Sequence, residues 1–215
     1  CRRIKIAFSL FKFSAEIPKE KFEEEIKKII RQEKNAGIII QLPLPKHLDR
    51  QEIFDLIPSE KDLDCLNLKN FGKIPPTAEA IVFLFKKNRI KVQGKRTVVI
   101  GAGRLVGQPI SLWLLKQGAI LSVLNKFTKD LSFYTKNADI LISGVGKPNL
   151  VTGKMVKKGV IVIDAGTSLK NNKLIGDIDL KSVSKKAKYI TPVPGGVGPL
   201  TVAFLLKNLV DLVQK

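Results

Sequence analysis

Residues that bind metals or crosslink a chain are scarce in this sequence. Among its 215 residues are two cysteines, Cys1 and Cys65, and one histidine, His47. This set has no metal-ligand spacing and cannot form a disulfide framework, and a zinc centre needs more ligands than it offers. We therefore expect no metal site, and two free thiols of the kind found in a reducing cytoplasm.

Long apolar runs are also missing. No segment approaches the roughly 20 apolar residues that a bilayer-spanning helix needs, and Cys1–Phe13 is not followed by the small-residue cleavage site of a secretory signal. With 44% hydrophobic residues and a mean hydropathy of +0.06, the composition is typical of a soluble globular protein, and we expect no membrane partner. A chain of this length can bury the core of one large domain or two small ones.

Acidic residues are few relative to basic ones, which leaves a formal net charge of +19. Such a charge can indicate a nucleic-acid-binding protein. The lysines are, however, scattered, often in pairs such as Lys27–Lys28 and Lys157–Lys158, and there is neither a long basic run nor an aromatic-rich RNA-binding motif. A lysine-rich solvated surface is the alternative, and it suits an enzyme with an anionic substrate and cofactor. We expect no nucleic-acid partner.

The most informative stretch is Thr97–Pro109, TVVIGAGRLVGQP. An apolar strand runs into a turn with Gly101, Gly103 and Gly107, and an apolar helix follows. This order is typical of the first βαβ unit of a dinucleotide-binding fold, in which glycines let the backbone approach a pyrophosphate and the helix N-terminus attracts it. The spacing is one residue longer than the common fingerprint, so a tight strand–helix turn without a ligand is the alternative.

The rest of the chain predicts an α/β protein. Ahead of the glycine turn we expect strands at Ile6–Phe13 and Gly37–Gln41 and helices at Pro18–Gln32, Gln51–Ile57 and Ala78–Lys87. From the turn onward we expect strands at Thr97–Ile100, Ile120–Leu124, Asp139–Ser143, Val160–Asp164 and Tyr189–Thr191, and helices at Gln108–Gln117, near Asp130–Asn137, near Gly153–Lys157 and at Pro199–Val213. Near-continuous apolar strands alternating with helices indicate a parallel sheet covered on both faces. Two lobes with a cleft between them are favoured.

Several separate segments resemble one family, the bifunctional methylenetetrahydrofolate dehydrogenase / methenyltetrahydrofolate cyclohydrolases. In chain order they are GIIIQLPLPKHLD (Gly37–Asp49), EKDLDCLNLKNFGKI (Glu60–Ile74), VVIGAGRLVGQP (Val98–Pro109), ADILISGVGKP (Ala138–Pro148), VIVIDAGT (Val160–Thr167), GDIDL (Gly176–Leu180) and ITPVPGGVGPLT (Ile190–Thr201). The resemblance covers essentially the whole chain, and QLPLP and TPVPGGVGP are its most specific motifs.

The resemblance implies two reactions of one-carbon metabolism. The first is NADP-dependent oxidation of 5,10-methylenetetrahydrofolate, and the second is hydrolysis of the methenyl product to 10-formyltetrahydrofolate, which serves purine biosynthesis. Asp64 matches the aspartate that grips the pterin, and a carboxylate is a suitable bidentate acceptor for pterin N–H groups. Gln41 matches the glutamine that hydrogen-bonds the catalytic lysine, so these two are the catalytic candidates, with an exposed loop acid and a strand-end amide as the alternatives. Pro194, Gly195 and Gly196 match the segment that lines the folate pocket.

For the cofactor, the resemblance and the glycine turn together imply a Rossmann-type NADP-binding lobe. The residues assigned to it are Gly101, Ala102, Gly103, Arg104, Val106, Gly107, Lys126 and Thr167. An NAD site usually places an acid at the end of the second strand, to bind the ribose hydroxyls. This strand ends in Leu124-Asn125-Lys126 instead, and a cation there suits the 2′-phosphate of NADP. An ordinary surface lysine is the alternative.

The chain also departs from the family pattern. The resemblance implies a proton-handling tyrosine and lysine spaced Tyr-x-x-x-Lys, and the match from Ile6 onward puts them upstream of Cys1, so we expect the sequence to be part of a longer protein. Cys65 stands where the family usually has glycine, Asn67 where histidine or serine is common, and Pro76–Ala80 where the family has a Pro-Cys-Thr-Pro-type turn. The alternatives are a catalytically silent relative that binds NADP or folate and a different NADP-dependent reductase, and the two specific motifs argue against the second.

Three structural expectations complete the prediction. Residues 1–76 should form the smaller α/β folate domain, completed by the C-terminal helix 199–215, and residues 77–198 the Rossmann domain. The family resemblance implies a homodimer formed through the cofactor lobe, with tetrahydrofolate derivatives as the ligands. The Leu42–Pro43 or Val193–Pro194 bond is expected to be cis, because the chain must turn sharply at both prolines.

Overall fold

The computed structural model of the protein describes residues 4–69 and 73–214. Cys1, one of the two predicted free thiols, lies outside the described residues. The helices are α1 (Lys19–Ile30), α2 (Gln51–Asp55), α3 (Pro76–Lys87), α4 (Gly107–Lys116), α5 (Leu131–Thr135), α6 (Leu180–Val183) and α7 (Val197–Val213), with a 3-10 turn at Gly153–Met155. The strands are β1 (Arg96–Ile100), β2 (Ile120–Leu124), β3 (Ile140–Ser143), β4 (Ile161–Asp164), β5 (Ser168–Lys170), β6 (Lys173–Ile175) and β7 (Tyr189–Ile190).

Five of the strands form a parallel sheet in the order β2-β1-β3-β4-β7. The chain goes from β1 to β2 on one side and then returns to β3 on the other side of β1. The carboxyl ends of β1 and β3 therefore flank a topological switch point, which is where open α/β sheets bind ligands. β5 and β6 form a separate antiparallel hairpin whose turn residues, Asn171 and Asn172, both have positive φ.

Both faces of the parallel sheet are buried. Val98 of β1 lies in register with Leu141 of β3 on one face, and the neighbouring pair Val99 and Ile142 faces the other way. Helices α3, α4 and α7 contribute to the core on the Val99 face, and the second core packs under the opposite face. Burial on both sides is why these strands read as continuous apolar runs, and the predicted parallel sheet is confirmed.

The smaller lobe packs around a third core. α1 buries Phe22 and Ile26, so its amphipathic pattern predicts this helix correctly, and the predicted short helix α2 buries Ile53 and Phe54. The Lys61 ammonium donates to Ile30 O at 2.8 Å, which places a cation on the carbonyl end of α1. α7 reaches this lobe, since Asn208 Nδ2 donates to Leu63 O at 3.0 Å.

Two predicted strands of the smaller lobe are wrong. Ile6–Phe13 is mostly exposed and pairs with no other described segment, so its backbone groups lack the neighbouring strand that a sheet requires. Phe13 makes an edge-to-face contact with Phe22, at 5.4 Å between ring centroids. Gly37–Gln41 contributes a single parallel bridge, Ile38 with Asp62, rather than a strand.

The proline prediction is confirmed, because the Leu42–Pro43 and Val193–Pro194 bonds are both cis. No helix among residues 4–69 and 73–214 has the length and apolar character that crossing a membrane requires.

Candidate functional site

The glycine turn joins the end of β1 to the start of α4 at the switch point. Gly101 has φ +101°, and a Cβ there would lie 2.9 Å from Gly144 O, on the loop after β3. A Cβ on Gly107 would lie 1.9 Å from Gly101 O. These two glycines are therefore required by the turn itself, through a left-handed backbone at one and close helix–strand packing at the other.

Gly103 has a different reason to be glycine. A Cβ on Gly103 would meet no atom within 4 Å, so the fold leaves this backbone open to solvent or to a ligand. α4 begins at Gly107, four residues further on, and its N-terminal turn has no side-chain cap. An open glycine ahead of an uncapped helix N-terminus is the arrangement in which backbone N–H groups bind a phosphate.

Lys126 emerges next to this turn. Gly101 N donates to Leu124 O at 2.8 Å, so the glycine turn and the residues after β2 leave the sheet side by side. Asn125 Oδ1 accepts from Phe127 N at 2.9 Å, which forms an Asx turn and leaves Lys126 exposed, with its ammonium 5.1 Å from the centroid of the Phe127 ring. Among the described residues of β2 and its following turn there is no acid.

Arg104, also assigned to the cofactor site, turns toward the smaller lobe. Its guanidinium donates to the Asp49 carboxylate and lies over the Phe54 ring, 4.6 Å from the centroid. The next residue, Leu105, packs against the cores of both lobes, and Val106 is buried against Gly144. The turn is thus held by the smaller lobe as well as by the sheet.

The loop after β3 forms the other side of the switch point. Asp177 is fully buried, and its carboxylate accepts from Ser143 Oγ, Val145 N and Lys147 N at 2.7, 2.8 and 2.7 Å. Thr167 is exposed beside this loop, since a Cβ on Gly146 would lie 3.6 Å from Thr167 O.

Asp64 lies in the irregular segment between α2 and α3. Burial raises the pKa of its carboxyl to about 7, and the charge of Asp62 adds to the rise. Its neighbour Cys65 adopts φ +55°, the left-handed conformation that glycine favours, which gives a physical reason for the glycine usual in the family at this position. Burial, and secondarily Asp62, raises the pKa of the Cys65 thiol to about 12.

Asn67, the other departure in this segment, is a structural residue. It is buried, its side chain donates to Ile57 O at 2.7 Å, and its backbone N–H donates to Asp62 Oδ2 at 2.8 Å. These bonds fold the Asp64 segment against α2.

The remaining folate-side candidates are Gln41 and the loop Pro194–Gly196. Gln41 is exposed and donates to Leu42 O at 2.9 Å. Pro194 and Gly195 are exposed, with φ +103° at Gly195, whereas a Cβ on Gly196 would lie 2.4 Å from Pro192 O. The structure thus places the glycine turn and Lys126 side by side at the carboxyl ends of β1 and β2, with Thr167 beside the loop after β3, and it turns Arg104 toward the smaller lobe. It places the folate candidates in exposed or half-buried loops.

Sequence reasoning missed three residues that shape these loops: Asp164, Asp177 and Ser143. The signal was present, because Asp164 and Ser143 each end a buried parallel strand and Asp177 stands in the quoted GDIDL motif. It missed the partner of Arg104 because no sequence pattern links that turn to Asp49. Within residues 4–69 and 73–214, no group of three or more His, Cys, Asp or Glu side chains could hold a metal ion.

The sheet order and the glycine turn define an α/β protein with a Rossmann-type dinucleotide-binding lobe. Two family models match the chain: tetrahydrofolate dehydrogenase/cyclohydrolase, NAD(P)-binding domain, over residues 75–215, and tetrahydrofolate dehydrogenase/cyclohydrolase, catalytic domain, over residues 1–64. The chain therefore belongs to the tetrahydrofolate dehydrogenase/cyclohydrolase family.

Individual relatives agree with this assignment. The chain is 43% identical to the bifunctional protein FolD of Hydrogenobaculum sp. over 97% of its length and 78% of the relative's. It superposes on the FolD methylenetetrahydrofolate dehydrogenase/cyclohydrolase of Campylobacter jejuni with a TM-score of 0.84 and 41% identity, covering 93% of this chain and 74% of that one. The Trypanosoma brucei FolD, solved with NADP cofactor and inhibitor, gives the same TM-score and coverage at 36% identity.

Proposed function

We propose that this protein oxidises 5,10-methylenetetrahydrofolate with NADP and hydrolyses the methenyl product to 10-formyltetrahydrofolate. The observation that carries the proposal is that one chain matches the catalytic and the NAD(P)-binding models of this family and builds the glycine turn of the second at a switch point. Relatives of about 40% identity over nearly the whole chain are bifunctional FolD proteins.

The lobe fits a dinucleotide phosphate. The backbone at Gly103 is open, the N-terminus of α4 is uncapped, and Lys126 leaves the neighbouring strand as an exposed cation. We assign the pyrophosphate to Gly101–Gly107 and the 2′-phosphate to Lys126, with Thr167 beside the loop after β3. When bound, NADP accepts the hydride.

The folate-facing residues hold and orient the substrate. Asp64, when ionised, accepts hydrogen bonds from the pterin, and the open backbone at Pro194–Gly196 lets a flat ring approach closely. Gln41 positions the proton-handling lysine. We place that lysine and its tyrosine, spaced Tyr-x-x-x-Lys, upstream of Cys1 in the full protein, and the described residues then bind and orient while the upstream pair moves protons.

The proposed domain boundaries divide the chain into a folate domain and a coenzyme-binding domain. We propose a folate domain of residues 1–76 completed by the helix 199–215, and a Rossmann domain of residues 77–198. The contact of Asn208 with Leu63 O supports the return of α7 to the first lobe.

The proposal also includes the oligomeric state and the cellular compartment. We propose a homodimer through the cofactor lobe, supported by the β5–β6 hairpin, whose Leu169 and Leu174 are 69% and 48% exposed. We place the enzyme in the cytoplasm, where it supplies one-carbon units for purine biosynthesis.

Two optical assays separate the activities. Formation of NADPH from NADP and 5,10-methylenetetrahydrofolate reports the dehydrogenase, and loss of the methenyl absorbance reports the cyclohydrolase. We expect the protein of residues 1–215 to bind NADP, and a version extended by its upstream residues to gain cyclohydrolase activity, since positioned acid–base catalysis contributes about 10²–10⁴-fold. Full cyclohydrolase activity without the upstream residues would refute the placement of the lysine, and binding of both ligands without either activity would indicate a catalytically silent relative.

A further inference from the structure

Two buried aspartates, through their carboxylates and one backbone N–H, join four segments beside the proposed site, yet neither belongs to the residues assigned to a ligand. Asp164 ends β4 and is 3% exposed, and Asp177, 13 positions further along the chain, is fully buried. Each lies against a glycine of the other's segment. A Cβ on Gly166 would lie 2.1 Å from Asp177 Cγ, and a Cβ on Gly176 would lie 2.0 Å from Asp164 Oδ2.

Asp177 holds the loop after β3. Both of its oxygens are used: Oδ2 accepts from Ser143 Oγ and Val145 N, and Oδ1 accepts from Lys147 N. These bonds span the first turn of the loop that flanks Gly101, where a Cβ on that glycine would lie 3.2 Å from Val145 Cγ2. One wall of the coenzyme crevice therefore takes three of its hydrogen bonds from a single carboxylate, beside the bonds of Gly144 N to Ile100 O and of Ser168 Oγ to Gly146 O.

Asp164 holds Asp177 and reaches the folate-side loop. Its Oδ1 accepts from Gly166 N and Asp177 N at 3.0 and 3.1 Å, and its Oδ2 accepts from Ile178 N at 3.0 Å. Its backbone N–H donates to Thr191 Oγ1 at 2.7 Å. Thr191 opens the TPVPGG segment, so the backbone of the same residue holds the base of the loop proposed to line the folate pocket.

We infer that Asp177 is a positioning residue that sets the loop 144–147 for coenzyme binding, and that Asp164 ties this loop to the segment Thr191–Gly196, so that both proposed ligand loops share one frame. Neither acid acts on a reacting atom; their carboxylates act through backbone N–H groups and, for Asp177, through the Ser143 hydroxyl as well. The expected effect on coenzyme binding rests on the proposed NADP function, whereas the role of Asp177 in holding the loop 144–147 rests on the hydrogen bonds alone.

Gly166 and Gly176 are glycines because each of them faces one of the two buried carboxylates. Gly166 and Gly176 have ordinary negative-φ or extended backbone, so their requirement comes from the carboxylate facing each of them. A buried carboxylate with every oxygen hydrogen-bonded to backbone is a rigid connection, because breaking any of its bonds leaves a buried donor unsatisfied.

The test uses Asp177→Asn, with Asp179→Asn as the matched control. Asp179 stands two residues away on the same segment, but its carboxylate accepts from Ser182 Oγ, away from the loop after β3. An amide at position 177 offers one acceptor oxygen where the carboxylate offers two. We expect faster hydrogen exchange at the Val145 and Lys147 amides in Asp177→Asn than in the unchanged protein or the control.

Titration with NADP then tests the consequence. We expect the Kd for NADP to rise about tenfold or more in Asp177→Asn, which corresponds to about 1.4 kcal/mol, with a folded fraction equal to that of the control by circular dichroism. A merely structural role would lower the active fraction and leave the Kd of the folded protein unchanged. If Asp177→Asn does not fold, Ser143→Ala removes one donor and should raise the Kd severalfold.

The outcomes separate this inference from the function on which it rests. Unchanged exchange at Val145 and Lys147 overturns the role of Asp177, whatever the protein binds. Faster exchange with an unchanged Kd, in a protein that binds NADP, overturns its role in positioning. Failure of the unchanged protein to bind NADP overturns the proposed function, and with it the coenzyme part of the inference.

Discussion

Arg104 of the glycine turn and Asp49 of the smaller lobe form an ion pair that connects the two halves of the molecule. The guanidinium also lies 4.6 Å from the centroid of the buried Phe54 ring. The pair is partly exposed, with 29% of the Arg104 side chain and 44% of the Asp49 side chain accessible. Its stabilising effect is therefore small, and the contact with the ring adds to it.

We expect Asp49→Asn to lower the free energy of unfolding by about 1 kcal/mol or less, as for other exposed pairs. Arg104→Ala should cost more, since it also removes a cation–π contact of about 0.5–1 kcal/mol. Urea unfolding of the two single variants and the double variant measures both terms. If Arg104→Ala and Asp49→Asn cost the same, the contact with Phe54 contributes nothing.

Gly107 and Gly103 give a matched pair of alanine substitutions in one turn. Gly107→Ala would push a methyl group to 1.9 Å from Gly101 O, and overpacking of this kind costs about 1–3 kcal/mol or more. Gly103→Ala meets nothing within 4 Å, so it should leave the melting temperature nearly unchanged and weaken NADP binding. Equal melting temperatures for the two variants would contradict this account of the turn.

Asp64 should make folate binding depend on pH. Its pKa is raised from 3.8 to about 7, chiefly by burial, and the acid accepts both pterin N–H bonds only when it is ionised. Folate affinity should therefore fall as the pH drops from about 8 to about 6. Asp64→Asn should bind folate weakly at both pH values, and a wild-type Kd that does not change over this range would contradict the assignment.

The raised pKa of Asp64 affects folding stability in the opposite direction: this group favours the folded state at low pH, where folate binding is weak. Because the folded pKa of Asp64 lies above its unfolded value, the stabilising contribution of this group is complete below about pH 3.8 and is lost as the pH rises through about 7. Asp164, whose pKa burial raises to about 6, acts in the same direction over a narrower range. Urea unfolding of the unchanged protein and of Asp64→Asn between these pH values measures the contribution of Asp64.

Lys126 should determine the choice of coenzyme. A charge-assisted contact with the 2′-phosphate is worth about 1.5–3 kcal/mol, so NADP should bind at least about tenfold more tightly than NAD. Lys126→Ala should remove most of this difference, whereas Lys129→Ala, three residues further on, should preserve it. Equal affinities of the unchanged protein for NADP and NAD would leave Lys126 as an ordinary surface charge.

The parts of the fold that sequence reasoning predicts correctly are those with a strong local signal. β1 and β3 are apolar on both faces, and α1 places Phe22 and Ile26 on one side of a helix, so periodicity is enough. Ile6–Phe13 has strand-like alternation but no neighbouring strand among the described residues, and alternation alone cannot supply one. The β5–β6 hairpin was missed although Asn171 and Asn172 are typical turn residues.

The same limit applies to the site. The glycine turn is a local pattern, and it predicts the strand–turn–helix unit of β1 and α4, whereas the switch point beside it follows from the observed strand order. The bonds of Asp177 to Ser143 and Val145 cross 34 and 32 positions of the chain, and periodicity carries no information on such partners. The GDIDL motif that contains Asp177 stands out in the sequence, but the hydrogen bonds that give Asp177 its role form only in the folded chain.

The central claim is that one cleft brings the one-carbon bridge of the folate to NADP. The direct measurement is a single turnover with 5,10-methylenetetrahydrofolate carrying deuterium at both positions of the bridge, followed by mass spectrometry of the coenzyme. We predict that one deuterium per turnover appears in the reduced NADP, because hydride transfer needs the two rings in contact. Reduced coenzyme without deuterium, or binding of both ligands with no reduced coenzyme, would contradict the claim.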